Sequence, residues 1–250
     1  MRSYAIGDIH GHIDLLRTAH ALIAADRRDV GDAGAPIVHL GDLVDRGPAS
    51  AEVVEYLRRG PGLGTPWVTL RGNHDSLFAR FLADPGSQDP GLRSDLTYLD
   101  RRIGGAATLA SYGVPDAMTR PLADVHAAAV LLVPVLHGPW LASLPLTFAR
   151  DRCLFVHAGL RPGIPLPRQS ETDLMWIRAP FHDHPGSHGA LVVHGHTPVD
   201  APTHYGNRLN LDTGAAYGGP LTTVVIEGDA VFHLTDAGRV QLRPQGRFGR

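Results

Sequence analysis

Residues 3–11 read SYAIGDIHG, and this stretch sets a pattern that the first third of the chain repeats. Ser3–Ile6 is a short apolar run typical of a buried strand, and the polar segment Gly7–Gly11 follows it. A helical pattern comes next, with apolar residues at Ile13, Leu16, Ala19, Leu22 and Ile23. Two further strands, Pro36–Leu40 and Trp67–Leu70, also end in polar loops that lead into helices. This alternation predicts parallel strands joined by crossover helices.

Residues 84–150 break the alternation, because Pro- and Gly-rich connections separate short helical patterns there. We expect a mainly helical insertion, without strands, over one edge of the functional site. Strands resume at Leu154–Val156, Leu191–Val193, Arg208–Leu211, Thr222–Glu227 and Val231–Leu234. The Gly228–Asp229 turn joins the last two strands as a hairpin. We predict one domain over residues 1–236, insertion included, and a loose C-terminal tail over residues 237–250.

The composition excludes several classes of protein. A hydrophobic content of 43% in 250 residues supports a substantial core, and a net charge of -2 favours neither nucleic acid nor an anionic membrane as partner. The single cysteine, Cys153, excludes a disulfide framework and a cysteine zinc site. No apolar run reaches the ~20 residues of a membrane span and no signal peptide is recognisable, so we expect a cytoplasmic protein. All 23 basic residues are arginine, which excludes lysine-based chemistry.

Residues of metal-binding types follow five of the predicted strands, where each strand ends. They are Asp8 with His10, Asp42, Asn73 with His74, His157, and His196. Because the carboxyl ends of parallel strands share one edge of a sheet, we expect these side chains to meet. Asp8 and His10 are two positions apart, and side chains at that spacing point to the same side of a strand. We therefore expect Asp8 and His10 to bind the same metal ion. The sequence therefore predicts a metal centre at this edge.

Five motifs carry a resemblance to a known family. They are GDIHG (Gly7–Gly11), GDLVDRG (Gly41–Gly47), RGNHD (Arg71–Asp75), VHAG (Val156–Gly159) and GHTP (Gly195–Pro198). In this order they resemble the signatures of the calcineurin-like metallophosphoesterases, and more narrowly of the bacterial phosphoprotein phosphatases, over about residues 3–227. The resemblance implies an α/β fold, a four-layer αββα sandwich of two mixed β-sheets flanked by helices.

The resemblance also implies two divalent metal ions. Asp8, His10 and Asp42 would bind the first ion, and Asp42, Asn73, His157 and His196 would bind the second. Asp42 would thus bridge the pair, since a carboxylate offers two oxygens. Oxygen and nitrogen ligands without sulfur suit manganese, iron or zinc, and the likeness to bacterial relatives favours Mn²⁺.

The implied mechanism is direct, in-line attack on phosphorus by a hydroxide that bridges the two metals. His74 would be the general acid for the leaving group, and Asp45 would hold its imidazole in the charged form. Arg46 and Arg178 would bind the phosphate. Arg46 lies inside its motif, whereas Arg178 rests on the weaker match of Met175–Arg178 and has a surface salt bridge as its alternative.

Three functions stay open at this point. A phosphoprotein phosphatase acting on phosphoserine or phosphothreonine, with phosphotyrosine left open as an alternative, is favoured by Asp45 beside Arg46. A dinucleoside polyphosphate hydrolase is favoured by Asp75, where protein phosphatases usually carry glutamate. A non-catalytic, metal-stabilised binding module would need a degraded ligand set, and all six ligand positions carry ligand residues. No motif indicates an oligomeric state.

Overall fold

A computed structural model describes residues 1–60 and 66–245. In this described part the chain has eleven strands and seven α-helices. The strands are β1 (Arg2–Ile6), β2 (Ile37–His39), β3 (Trp67–Thr69), β4 (Thr147–Arg150), β5 (Cys153–Val156), β6 (Leu191–His194), β7 (Thr203–His204), β8 (Arg208–Asn210), β9 (Thr223–Glu227), β10 (Ala230–Thr235) and β11 (Gly238–Gln241). The helices are α1 (Ile13–Val30), α2 (Ser50–Arg59), α3 (Asn73–Ala83), α4 (Gly105–Ser111), α5 (Leu122–Leu132), α6 (His137–Ser143) and α7 (Glu171–Trp176).

The strands form two mixed sheets. The first has the order β11-β10-β9-β1-β2-β3, in which β1, β2 and β3 are parallel and β9 runs antiparallel to β1. The second has the order β4-β5-β6-β8-β7, in which β5, β6 and β8 are parallel and both edge strands are antiparallel. Each parallel set contributes strand ends to one side of the molecule, as the alternating pattern predicts.

Alternation along the strands builds the layers. Ala5 of β1 packs between the sheets, in one buried cluster with Phe155 and Val193 of the second sheet. Tyr4 and Ile6 point to the other face, where they pack under the helices. A third buried cluster lies between the outer face of the second sheet and α7. The four-layer αββα sandwich is therefore confirmed, and burial of each large apolar side chain stabilises it by about 1.5–3 kcal/mol.

The segment between α3 and β5 contains the three short helices α4, α5 and α6, separated by turns and irregular chain, and it is not free of strands. Its last four residues, Thr147–Arg150, form β4, which pairs antiparallel with β5 through a tight turn at Asp151. The expectation of no strand within residues 84–150 is wrong here, because a four-residue edge strand with half-buried side chains carries little apolar signal. In the described residues no single helix is long and apolar enough to span a membrane. Only α5 and α6 taken together have that length and composition, and they are bent by 91° relative to each other.

The C-terminal residues depart further from expectation. Gly238–Gln241 form β11, which pairs with β10 at the edge of the first sheet. Arg239 on this strand contacts Asp26 of α1 through Nε and Nη2, at 2.5 and 2.8 Å, and also Glu227. The expectation of a loose tail is wrong for this strand, since a long-range ion pair holds it. Residues 246–250 of the predicted tail lie outside the described residues.

Candidate metal centre and catalytic cavity

The predicted site lies where parallel strands of both sheets end. Asp8 follows β1 and its Oδ2 accepts a hydrogen bond, 2.8 Å long, from the backbone N–H of His196, which follows β6. His157, which follows β5, places Nδ1 2.9 Å from the carbonyl oxygen of Leu40, which follows β2. The loops of the two sheets are thus linked directly, and the site forms at the seam between them.

Four of the predicted ligands converge on one point. The Oδ1 atom of Asn73 is 2.9 Å from Nε2 of His157 and 2.9 Å from Nδ1 of His196. Oδ1 of Asp42 is 3.3 Å from the same His157 nitrogen. Ligand atoms of Asp42, His157 and His196 all lie within 4.8 Å of one another, and all three side chains are buried. The arrangement brings together the whole set predicted for the second ion.

The set predicted for the first ion is less clear from distances alone. Nε2 of His10 is 3.5 Å from Oδ2 of Asp42, the oxygen not used by His157. Distance alone groups His10 and Asp42 with His74, not with Asp8. Asp8 nevertheless has a buried Oδ1 without any hydrogen-bond partner in the described part of the chain. A buried carboxylate oxygen without a partner is costly, so we take Asp8 as the better third ligand.

The histidine tautomers fit a pair of divalent cations. Nδ1 of His10 lies 2.8 Å from the carbonyl oxygen of Val44, and His157 makes the corresponding contact with Leu40. A carbonyl can only accept, so each ring donates from Nδ1 and keeps a lone pair at Nε2 for a metal. His196 differs, because its Nδ1 atom is the one that faces Oδ1 of Asn73, and its Nε2 atom is buried without a partner among the described residues. These nitrogen and oxygen donors, with no sulfur, suit manganese, iron or zinc.

The backbone of the site is strained. Of the seven non-glycine residues with positive φ in the described ranges, five belong to the predicted site: His10, Asp42, Asp45, Arg46 and His196. Such conformations cost about 1–3 kcal/mol each and cluster at functional sites. Asp8 and His10 both lie beyond the end of β1, and His10 has φ of 45°, so the strand spacing used to assign both residues to one ion does not apply.

Two glycines allow the carboxylates to approach the neighbouring loops. A Cβ atom at Gly195 would overlap Oδ1 of Asp8, and a Cβ atom at Gly72 would overlap Oδ1 of Asp42. A larger residue at either position would displace a predicted metal ligand, which explains why both motifs carry glycine there.

A buried imidazole–carboxylate pair adjoins the ligands. Nδ1 of His74, in the first turn of α3, is 2.7 Å from Oδ2 of Asp45, and both side chains are buried. The backbone N–H of His74 donates to Oδ1 of Asp42 at 3.0 Å. Asp75 faces away from this pair: its two carboxylate oxygens accept from the N–H groups of Leu43 and Gly72, at 2.9 and 2.8 Å. Asp75 therefore caps α3 and fixes the loop after β2.

Burial and neighbouring charges shift the ionisation of these groups. Burial, reinforced by Asp212 and Asp42, raises the pKa of Asp8 well above its ordinary value. Burial would also raise the pKa of Asp42, but the surrounding imidazoles, His157 foremost, lower it below the ordinary value. Burial lowers the pKa of His10 and of His157. Metal binding requires ionised carboxylates and neutral imidazoles. The lowered pKa values of Asp42, His10 and His157 favour that state, whereas the raised pKa of Asp8 opposes it in the absence of metal.

A cavity of about 240 Å³ opens beside the ligands. It contains both predicted phosphate-binding residues, and Nη1 of Arg46 lies 2.8 Å from Nε2 of His10. Arg178 makes no ion pair within the described ranges, so the alternative of a surface salt bridge has no support there. Among the described residues, four other cavities are larger, with volumes of about 320, 380, 760 and 770 Å³, and none of them is lined by a predicted site residue.

Several residues that line this cavity were not predicted as site residues. They are Gly91, Leu92, Arg93, Leu96, Ile103, Trp176, Pro198, Asp212, Ala216 and Tyr217. Trp176 lies inside the Met175–Arg178 match and Asp212 follows a predicted strand, so both had a local signal. Leu92, Leu96 and Ile103 come from the helical insertion, and only the tertiary structure places them here.

Comparison with known proteins shows the family to which the chain belongs. The family model for calcineurin-like phosphoesterases matches residues 1–229. The chain is 28% identical over 233 residues to serine/threonine-protein phosphatase 1 of Salmonella typhimurium, covering 90% of this chain and 91% of that one. It is also 28% identical over 279 residues to a symmetrical bis(5'-nucleosyl)-tetraphosphatase of Nitrosococcus oceani, covering 91% and 94%. A cold-active protein-tyrosine phosphatase of a Shewanella species shares the fold, with a TM-score of 0.61 and 17% identity over 97% of this chain and 80% of that one.

The chain therefore belongs to the calcineurin-like phosphoesterase family. Members of this family are hydrolases that use divalent metals, and the His/Asp clusters described above are the groups that can hold them. The relatives divide between phosphoprotein and dinucleotide enzymes, which leaves the substrate to be argued from the site.

Proposed function

We propose that this protein is a binuclear metallophosphatase that removes phosphate from serine or threonine side chains of phosphoproteins. The observation that carries the proposal is the buried Asp45–His74 pair, 2.7 Å apart, at the wall of a cavity that also holds Arg46 and Arg178. A cationic cavity with a carboxylate-held imidazole suits a dianionic phosphate whose leaving oxygen needs a proton.

In this proposal Asp8, His10 and Asp42 hold one ion, and Asp42, Asn73, His157 and His196 hold the other. When bound, the ions, of which we favour Mn²⁺, supply positive charge to the phosphate and acidify water near neutral pH. Nε2 of His10, which Arg46 contacts at 2.8 Å, would be the metal-binding nitrogen, and the Arg46 guanidinium would then be available for the phosphate oxygens. His74 uses Nδ1 for Asp45, so its Nε2 is the atom that passes a proton to the leaving oxygen.

The size of the cavity supports a phosphorylated side chain. Pockets for drug-sized ligands usually measure about 300–1,000 Å³, whereas this cavity measures about 240 Å³. Asp75 does not bear on the choice of substrate, because both of its oxygens are used to cap α3 and to fix the loop after β2. The departure from glutamate at this position therefore lends the dinucleotide alternative little support.

Hydrolysis of dinucleoside polyphosphates is the second candidate. The ring of Tyr217 lines the cavity, is 68% exposed and lies 5.3 Å from the guanidinium carbon of Arg46. An exposed aromatic face beside a phosphate site is a platform on which a nucleobase can stack. The tetraphosphatase of Nitrosococcus oceani, similar over nearly its whole length, also supports this candidate.

The substrate is tested by offering Mn²⁺-loaded protein phosphoserine and phosphothreonine peptides, phosphotyrosine peptides and diadenosine tetraphosphate side by side. We expect the highest kcat/KM on the serine and threonine peptides. A higher value on diadenosine tetraphosphate would overturn the proposal in favour of the second candidate. An Asp42→Asn variant purified in the same way controls for contaminating phosphatases, and turnover that persists in it does not belong to this site.

A further inference from the structure

The helical insertion reaches into the site through a set of hydrogen bonds to Asp45. Oδ1 of Asp45 accepts from the hydroxyl of Tyr98 at 2.8 Å and from the hydroxyl of Thr108 at 2.8 Å. The backbone N–H of Asp45 donates to the same Thr108 oxygen at 2.8 Å. Both partners come from the segment between α3 and β4, 53 and 63 residues further along the chain. The insertion therefore fixes the carboxylate that faces His74.

This network is shielded from water. Asp45 and Thr108 are fully buried, and Tyr98 is 7% exposed. An ionised carboxylate only accepts hydrogen bonds, so each hydroxyl points its single proton at Oδ1. Oδ2 is then left for Nδ1 of His74. In a buried environment such bonds determine the rotamer of Asp45, because no water can replace them.

The backbone of the motif is held by the same segment. Asp45 and Arg46 have φ of 71° and 69°, a region that side chains of L-residues rarely adopt. The N–H of Arg46 donates to the carbonyl oxygen of Gly104 at 3.3 Å. A Cβ atom at Gly104 would overlap the backbone of Arg46, so the two chain segments pack backbone against backbone.

We propose that Tyr98 and Thr108 are positioning residues for the proton transfer, which the insertion supplies by locking Asp45 onto His74. The inference rests on the proposed role of His74 as the proton donor. It assigns the insertion a part in the chemical step, in addition to lining the cavity. Neither Tyr98 nor Thr108 is among the residues that line the cavity, so each acts through Asp45, which in turn orients the imidazole.

The test uses Tyr98→Phe and Thr108→Val, each of which removes a hydroxyl with little change of shape, and Thr108→Ser as the matched control that keeps it. The Mn²⁺-loaded proteins are assayed on phenyl phosphate, whose leaving group has a pKa of ~10 like tyrosine, and on 2,4-dinitrophenyl phosphate, whose leaving group needs no proton. We expect kcat on phenyl phosphate to fall roughly tenfold or more in the two variants, a fraction of the ~10²–10⁴ that a general acid supplies. On the dinitrophenyl ester kcat should change little, and Thr108→Ser should behave as wild type.

His74→Asn separates this inference from the function on which it rests. If His74→Asn slows both esters equally, His74 is not the proton donor and the proposed function is wrong at that residue. If His74→Asn slows only phenyl phosphate while Tyr98→Phe and Thr108→Val slow both equally or neither, the positioning inference is wrong.

A second measurement does not depend on turnover. In metal-free protein labelled with ¹⁵N-histidine, the Nδ1–H proton of His74 should resonate far downfield because it is bonded to a buried carboxylate. We expect this signal to shift or exchange faster in Tyr98→Phe, and to stay in place in Thr108→Ser. An unchanged signal in Tyr98→Phe, a variant that removes one oxygen atom and spares the fold, would overturn the inference.

Discussion

Assigning Asp8, and not His74, to the first ion predicts that metal binding and catalysis respond to different substitutions. Addition of Mn²⁺ at ~100 times the Kd of each site stabilises the wild-type protein by about 2.7 kcal/mol per ion, or roughly 5 kcal/mol for two. For a domain of this size 1 kcal/mol shifts the melting temperature by about 2–4 °C. The wild-type protein should therefore melt about 10–20 °C higher with Mn²⁺ than after treatment with a chelator.

Asp8→Asn should reduce the rise in melting temperature with Mn²⁺ and should also change the melting temperature of the metal-free protein. Oδ1 of Asp8 has no partner in the described part of the chain, and burial with two neighbouring carboxylates raises its pKa. A neutral amide of the same shape relieves that cost, which we place at about 1–3 kcal/mol. The metal-free variant should thus melt higher than metal-free wild type, while its rise with Mn²⁺ is about half as large. His74→Asn should keep the full rise.

Calorimetry with and without Mn²⁺, combined with metal content after dialysis, measures both effects. We expect two ions per chain in wild type and in His74→Asn, and one in Asp8→Asn. The reasoning is refuted if His74→Asn loses an ion while Asp8→Asn keeps two, since His74 would then be the ligand that distance alone groups with His10 and Asp42.

Three further predictions concern the frame of the site. Arg239→Ala should lower the free energy of unfolding, measured with urea, by about 1–3 kcal/mol, because it leaves the carboxylate of Asp26 without its cation. Arg243 is exposed and serves as the control, since Arg243→Ala should change that free energy by less than about 0.5 kcal/mol. Burial alone would raise the pKa of Asp26, but hydrogen bonds from Arg239 and Tyr4 lower it below its ordinary value. The stabilisation from this ion pair is therefore complete above about pH 4 and is lost as the pH falls below that value. Arg239→Ala should make the loss of stability at acid pH less steep, and an equally steep loss in the variant would contradict the assignment. Gly195→Ala should lower the affinity for the first ion by about tenfold or more without unfolding the protein, because the added methyl group displaces Asp8. Metal content is measured during titration with a chelator, and a curve identical to wild type would contradict the close contact between Gly195 and Asp8.

Much of the fold follows from the sequence because its signals are local. The units built on β1, β2 and β3 each present an apolar strand, a polar loop and a helix within about 30 residues, and each predicted ligand follows a strand. Where the strands are short edges, the signal fades. The edge strands β4, β7 and β11 are held by pairing with a neighbour, and β11 also by Arg239, so the local sequence pattern does not predict them.

In the candidate site, too, residues inside local motifs can be predicted from the sequence, whereas long-range contacts cannot. Ligand residues inside motifs were named from the sequence, and the structure brings them together. The contacts of Tyr98 and Thr108 with Asp45 join residues more than 50 positions apart, and nothing in the local pattern of either residue points to that carboxylate. Long-range hydrogen bonds of this kind are set by how the insertion packs, which depends on the whole buried cluster under the helices.

Because the site lies at the seam between the two sheets, its geometry depends on the side chains that pack between them. Ligands such as Asp8 and His196 are carried by different sheets and touch each other directly, so the spacing of the sheets sets the distances among the donor atoms. A substitution at Ala5 or Phe155 that pushes the sheets apart therefore reaches the reaction centre without touching it. The packing of Ala5 and Phe155 between the two sheets therefore constrains the geometry of the reaction centre from a distance.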